Sequence, residues 1–147
     1  MEFSKDFVKN NGQKVRLLTE TRIVDSSGEK QAIRHAGYGY IFINEQSFGL
    51  FYADVRSTER NDIYLYGTGS HIRMERSGSA AGTLDFIPGK ETLSRYYLEF
   101  GDIEIRIQTT GIECDLKQDE GRIVLTYSSG MNGDVQNSTR YTCKWKS

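Results

Sequence analysis

Residues 103–108 read IEIRIQ, so isoleucines alternate there with charged or polar side chains. The alternation returns in residues 112–117 (IECDLK) and, after Gly121, in residues 123–127 (IVLTY). An apolar residue at every second position places one face of a strand in a core and the other in water. This part of the chain is therefore predicted to be antiparallel sheet rather than helix.

Similar segments fill the rest of the chain, separated by turn residues. Fifteen glycines and one proline suit hairpins and bulges, which need permissive backbones and intact ladders. Residues 3–9 are predicted to form one short helical turn, with Phe3 and Phe7 on a common side. The predicted strands are 14–24, 31–44, 48–55, 62–66, 70–76, 83–87, 93–100, 102–109, 112–116, 122–128 and 139–145.

Turn composition supports these boundaries. The segment 25–28 (DSSG) and the pairs Pro88-Gly89 and Gly101-Asp102 have the residues that tight turns prefer, and 119–121 and 131–134 close two further hairpins. A sheet of about ten strands curls closed or splits into two layers. The fold class is therefore all-β.

Composition limits the classes of partner. A chain of 147 residues is predicted to be a single domain, 1–147. Because 19 Lys and Arg face 20 Asp and Glu, the formal net charge of -1 gives no reason to expect a nucleic-acid partner. The amino terminus has no secretory pattern and no segment approaches the ~20 apolar residues of a membrane span, so a cytoplasmic location with no membrane partner is expected.

The chemistry-bearing residues are few. His35 and His71 lie in predicted strands, and two histidines with two distant cysteines do not make the three or four ligands of a zinc site. Cys114 and Cys143 alternate with apolar residues, and a thiol in apolar surroundings is inert. We expect no metal, no cofactor and no catalytic residue.

Several stretches in a fixed order resemble a known family. They are 74–78 (MERSG), 84–86 (LDF), Tyr96 ahead of Gly101, 107–109 (IQT) and 121–127 (GRIVLTY). In their order and spacing they resemble the YwiB-like family of bacterial proteins. The resemblance implies a single closed antiparallel barrel of the calycin or lipocalin kind, with about eight to ten strands and an unassigned function. It implies no catalytic residues.

Arg76 is the candidate binding residue. Ile72, Met74 and Arg76 share one strand face, so a guanidinium ends an apolar stripe. A cation inside a barrel needs carbonyls, a carboxylate or an anionic ligand. Arg76 could close the barrel end on backbone carbonyls, or it could hold a small anion or carboxylate. With Tyr96 and Tyr127, these residues form the candidate ligand site.

An aromatic stripe provides the alternative. Tyr38, Tyr40 and Phe42 share a face, which is either core or a contact surface for a homodimer. If exposed, these rings could also stack bases of single-stranded nucleic acid. The sequence places only Arg34 near them and no Lys/Arg groove, which argues against that use. The leading hypothesis is a non-enzymatic intracellular barrel that binds a small apolar or amphipathic molecule, which could be an anion. The alternative is a solid-core module for protein interaction or self-association, without a small-molecule ligand.

Overall fold

The computed structural model describes residues 3–56, 59–131 and 137–147. Within these ranges the chain forms one short helix followed by ten strands. The elements are α1 (Lys5–Asn11), β1 (Gln13–Val24), β2 (Lys30–Asn44), β3 (Ser47–Arg56), β4 (Glu59–Thr68), β5 (His71–Gly78), β6 (Ala80–Phe86), β7 (Glu91–Leu98), β8 (Gly101–Asp115), β9 (Glu120–Met131) and β10 (Asn137–Lys146).

The ten strands close into one antiparallel barrel. Each strand pairs with the next along the chain, and β1 closes the sheet by pairing with β10. Closure leaves no free sheet edge, which is how an up-and-down barrel satisfies all its strands. The predicted all-β closed barrel of eight to ten strands is confirmed.

Two sequence-based boundaries were wrong. Segments 102–109 and 112–116 are one strand, β8, because the ladder with β9 continues past a bulge between Thr109 and Gly111. The turn before β8 is formed by Glu99 and Phe100 rather than by Gly101-Asp102, since Leu98 already pairs with Gly101. A bulge accommodates the extra residue without ending the strand.

Other turns are as predicted. Asp25 Oδ1 accepts hydrogen bonds from the amides of Ser27 and Glu29, and Gly28 follows with φ of 88°. At the Pro88-Gly89 turn, the amide of Lys90 donates to the carbonyl of Ile87, and Gly89 has φ of 79°. Most of the predicted 131–134 turn lies outside the described residues.

The barrel interior differs between its two ends. We call the first the closed end: Val15, Ile41, Phe48 and Trp145 are fully buried there. The 116–119 loop covers it, because Trp145 Nε1 donates to the carbonyl of Lys117 at 2.7 Å and Gln118 Nε2 donates to that of Ile41 at 2.9 Å. At the other end, the cavity end, polar and apolar side chains both face the interior.

Helix α1 packs on the outside of the barrel. Ser4 caps it by accepting a hydrogen bond from the amide of Phe7 at 3.1 Å, and Val8 is fully buried against β3 and β4. Gly49 permits this approach, since a Cβ there would lie 2.7 Å from Val8 Cγ2. The predicted helical turn at 3–9 is thus present, shifted two residues towards the carboxyl terminus.

Candidate functional site

A cavity of about 310 Å³ occupies the cavity end of the barrel. Its volume is at the lower limit of the ~300–1,000 Å³ typical of small-molecule sites. Its wall is part polar and part apolar. The polar lining consists of Thr19, Thr21, Tyr52, Asp54, Arg76, Tyr96, Tyr127, Ser129 and Tyr141, and the apolar lining of Ile23, Ile33, Ile63, Met74, Leu84, Ile105 and Ile107.

Arg76 supplies a positive charge to this cavity. The alternation of β5 turns Met74 and Arg76 inward, and both line the wall. The Nε of Arg76 is buried and has no hydrogen-bond partner among the described residues. A buried donor of a charged group without a partner is costly, so this N–H is available to donate a hydrogen bond to an anionic or carbonyl oxygen of a ligand.

Four tyrosine hydroxyls share the cavity with Arg76. The hydroxyls of Tyr52 and Tyr141 lie 2.7 Å apart and form a hydrogen bond. Burial raises the pKa of all four phenols, that of Tyr127 to about 12, and the nearby charge of Arg76 offsets only part of the effect at Tyr96. They therefore remain neutral at physiological pH and can donate or accept hydrogen bonds.

The ring of Tyr96 packs closely against β6 at a glycine. A Cβ at Gly82 would lie 2.2 Å from Cδ1 of Tyr96. The tyrosine ring therefore fits only because position 82 has no side chain. This contact fixes where the Tyr96 hydroxyl stands relative to Arg76.

Asp54 brings a carboxyl group to the cavity wall, and His35 lies next to it. Asp54 is buried in the cavity wall, and its Oδ1 lies 3.7 Å from Nδ1 of His35. The His35 ring stacks near Tyr52 with centroids 6.1 Å apart, and its Nε2 is buried without a partner in the described chain. The sequence analysis did not place these two residues in the site, because their approach depends on the pairing of β1, β2 and β3.

The two cysteine thiols are both shielded by burial. Cys143 is fully buried, and burial raises the pKa of its thiol to about 12. Burial likewise raises the pKa of Cys114 to about 11, so neither thiol is a nucleophile at neutral pH. Among the described residues, no group of three His, Cys, Asp or Glu side chains could hold a metal ion.

The predicted ligand residues do not all meet. Arg76, Met74, Tyr96 and Tyr127 line the cavity, whereas Ile72 is fully buried in the apolar core beside Phe86. The sequence analysis missed Tyr52 and Tyr141. A tyrosine at an alternating position is a weak signal, since nothing local indicates which end of a barrel is filled.

The predicted aromatic surface is divided. Tyr38 is 60% exposed, whereas Phe42 packs edge-on against Phe3 and Phe7 beneath α1, with ring centroids 4.8 and 4.9 Å away. Tyr40 is half-buried and packs against the outer cluster, which consists of Val8, Phe51, Tyr64 and Tyr66. Helix α1 therefore already covers part of the surface that was considered for self-association.

These features define a class of protein: a closed ten-stranded antiparallel β-barrel with a partly polar cavity inside one end. A family model for a domain of unknown function, DUF1934, matches residues 18–142, and the chain belongs to this family.

The similar proteins agree with the fold. The uncharacterised β-barrel protein YwiB from Bacillus subtilis (strain 168) is 23% identical over 114 residues, which cover 78% of this chain and 80% of YwiB. The crystal structure of YwiB from that organism superposes with a TM-score of 0.83 at 21% identity, over 95% of this chain and 97% of YwiB. The resemblance to the YwiB-like family is thereby confirmed. None of the described helices is long and apolar enough to cross a membrane.

Proposed function

We propose that this protein is a non-enzymatic, intracellular binding protein that holds a small amphipathic anion inside the cavity end of the barrel. A carboxylate or similar group of the ligand would bind Arg76, and its apolar part would contact Met74 and the neighbouring aliphatic side chains. The buried Nε of Arg76, which lacks a hydrogen-bond partner within the described chain, carries this proposal.

The chemistry of the wall supports an anionic head group. A hydrogen bond between a guanidinium and a carboxylate is roughly twice as strong as one between neutral groups. The neutral hydroxyls of Tyr96 and Tyr127 can donate to a second oxygen of the ligand, since burial raises the pKa of both phenols. Asp54 sits elsewhere on the wall near His35 and would favour a ligand with one anionic end rather than several.

The apolar wall and the small volume support a short tail. Ile63, Leu84 and Ile107 line the same cavity and would exclude water from a short alkyl or ring segment. A cavity near 310 Å³ suits a small ligand rather than a bulky one. A self-association module has less support, because Phe42 is covered by α1 and the barrel is not solid.

Calorimetric titration with octanoate tests the proposal. We expect octanoate to bind wild-type protein, and Arg76→Met, which keeps much of the side-chain volume, to weaken binding at least about tenfold through loss of the charge-assisted hydrogen bond. Arg95→Met is the matched control, because Arg95 is exposed on β7. Octanol, which has no charge, should show no such dependence on Arg76.

Two results would refute the proposal. One is the absence of octanoate binding at millimolar concentration to wild-type protein whose fold is intact by circular dichroism. The other is equal octanoate affinity of wild type and Arg76→Met, which would remove the anchor from the account.

A further inference from the structure

Nine of the 19 basic residues of this nearly neutral chain lie on one outer face, which carries few acidic residues. Strands β2, β1, β10 and β9 are adjacent, and their register brings outward-facing residues into rows. We call this surface the basic face. Its nine basic residues are Lys14, Arg16, Arg22, Lys30, Arg34, Arg122, Arg140, Lys144 and Lys146, all exposed, and its two acidic residues are Glu20 and Glu120.

The net charge of the whole chain, -1, does not reveal this uneven distribution. With 19 basic and 20 acidic residues in all, ten basic and 18 acidic residues remain for the rest of the chain. The acidic residues Glu113 and Asp115 of β8 mark the border of the basic face beside β9. The expectation of no nucleic-acid partner rested on the net charge and on the lack of a Lys/Arg groove beside Tyr38, Tyr40 and Phe42. The register instead brings Lys14 and Arg16 beside Tyr38.

A surface depression lies on the basic face towards the closed end of the barrel, beside the 116–119 loop. Arg16 pairs with Lys146 across β1 and β10, and the next row brings Lys144 between Leu18 and Arg122. These five residues line a surface depression of about 720 Å³ together with Lys117 and three acidic residues, Asp115, Asp119 and Glu120. Glu120 lies opposite Lys146, and Asp115 lies opposite Arg122. Along one strand, outward-facing residues repeat about every 6.6 Å. The cations of neighbouring outward positions are therefore close enough for one flexible phosphate backbone to contact several of them.

Tyr38 supplies a stacking position next to these rows. It pairs with Arg16 across β1 and β2 and is 60% exposed. The ammonium of Lys14 lies 5.0 Å from its ring centroid and orients it on one side. Proteins that bind single strands combine backbone-tracking cations with exposed aromatic rings on which bases stack.

We propose that the basic face binds single-stranded nucleic acid. Arg16, Lys144 and Lys146 bind its phosphates, and a base stacks on the ring of Tyr38. An anionic membrane is a poorer fit, because the exposed apolar side chains of this face are small or isolated, Leu18 and Val24 among them. This site is on the outside of the barrel and does not depend on the proposed ligand cavity.

Fluorescence anisotropy with a labelled polyuridine RNA of about 20 nucleotides tests this inference. We expect binding that weakens steeply between about 50 and 200 mM KCl. Arg16→Glu combined with Lys144→Glu should lower affinity at least about tenfold and reduce the slope of log K against log salt by about 1.4, the loss of two phosphate contacts.

The control keeps the same net charge change. Lys90→Glu with Arg95→Glu reverses two exposed cations next to and on β7, away from the basic face, and should leave affinity within about twofold of wild type. Tyr38→Ala should weaken binding about 5- to 150-fold, the range for loss of one stacked base. Tyr97→Ala removes another exposed tyrosine, on β7, and should not.

Three outcomes would overturn the inference. The first is no binding of the RNA by folded wild-type protein at about 50 mM KCl. The second is equal weakening by the two double variants, which would show a net-charge effect without a site. The third is binding of phosphatidylglycerol vesicles, lost in Arg16→Glu/Lys144→Glu, with no RNA binding, which would assign the basic face to an anionic membrane surface.

Discussion

Gly82 and Tyr96 show how single residues shape the cavity. Position 82 lies opposite Arg76 in the β5–β6 ladder, and the ring of Tyr96 occupies the space where a side chain would stand. The hydroxyl of Tyr96 and the guanidinium of Arg76 are thus brought together by a residue without a side chain. Glycine is required at this position because the Tyr96 ring lies close to the backbone, and not because the chain turns there.

Gly82→Ala should displace Tyr96. A Cβ 2.2 Å from its Cδ1 forces the ring to move, and overpacking of this kind costs about 1–3 kcal/mol in the free energy of unfolding. Urea denaturation followed by circular dichroism measures it. Gly111→Ala is the control, because no atom lies within 4 Å of a Cβ there. Equal stability of Gly82→Ala and wild type would mean that the ring is not held as described.

At the residue scale, the sequence predicted part of the site. Arg76 and Met74 follow from alternation along one strand, which is local information. Tyr52, Asp54 and His35 join them only through pairings between β1, β2, β3 and the strands across the barrel. Residues that meet across a barrel are far apart in sequence, and no local pattern records their distance.

At the element scale, the errors have a common cause. Thr110 and Gly111 resemble the end of a strand, but the ladder between β8 and β9 resumes one residue later. The break between the predicted strands 31–44 and 48–55 was correct. Its tight turn contains Glu45 with φ of 59°, an uncommon conformation for a residue other than glycine. Neighbouring strands decide such boundaries, and composition does not.

Helix α1 is attached to the barrel by one aliphatic anchor. Val8→Ala should lower the free energy of unfolding by about 2 kcal/mol, because Val8 is fully buried between Phe51 and Tyr64 in the outer cluster. Val55→Ala, at a valine that is 55% exposed on β3, should change it by less than about 0.5 kcal/mol. Matched denaturation curves compare the two, and equal effects would contradict the packing of α1.

The interior tyrosines make the whole molecule sensitive to alkali. Tyr52, Tyr96, Tyr127 and Tyr141 have raised pKa values in the folded state because they are buried, that of Tyr127 about 12 against a usual value near 10. Above about pH 10 the unfolded chain loses these protons while the folded chain keeps them. Stability is therefore complete below about pH 10 and should fall as the pH rises towards 12.

Absorbance at the tyrosinate band and far-ultraviolet circular dichroism, recorded together against pH, measure this behaviour. We expect part of the tyrosine ionisation to coincide with loss of the strand signal. Reversible ionisation of all nine tyrosines with the strand signal unchanged would show that the four phenols are not buried as described.

The central claim for the whole molecule is that one end of the barrel is an anion-binding cavity while the other end is filled. A crystal structure of the protein grown with octanoate tests it most directly. The account predicts octanoate inside the cavity end, with a carboxylate oxygen within about 3 Å of the Arg76 guanidinium. A cavity end filled by side chains, with octanoate absent from the interior, would contradict it.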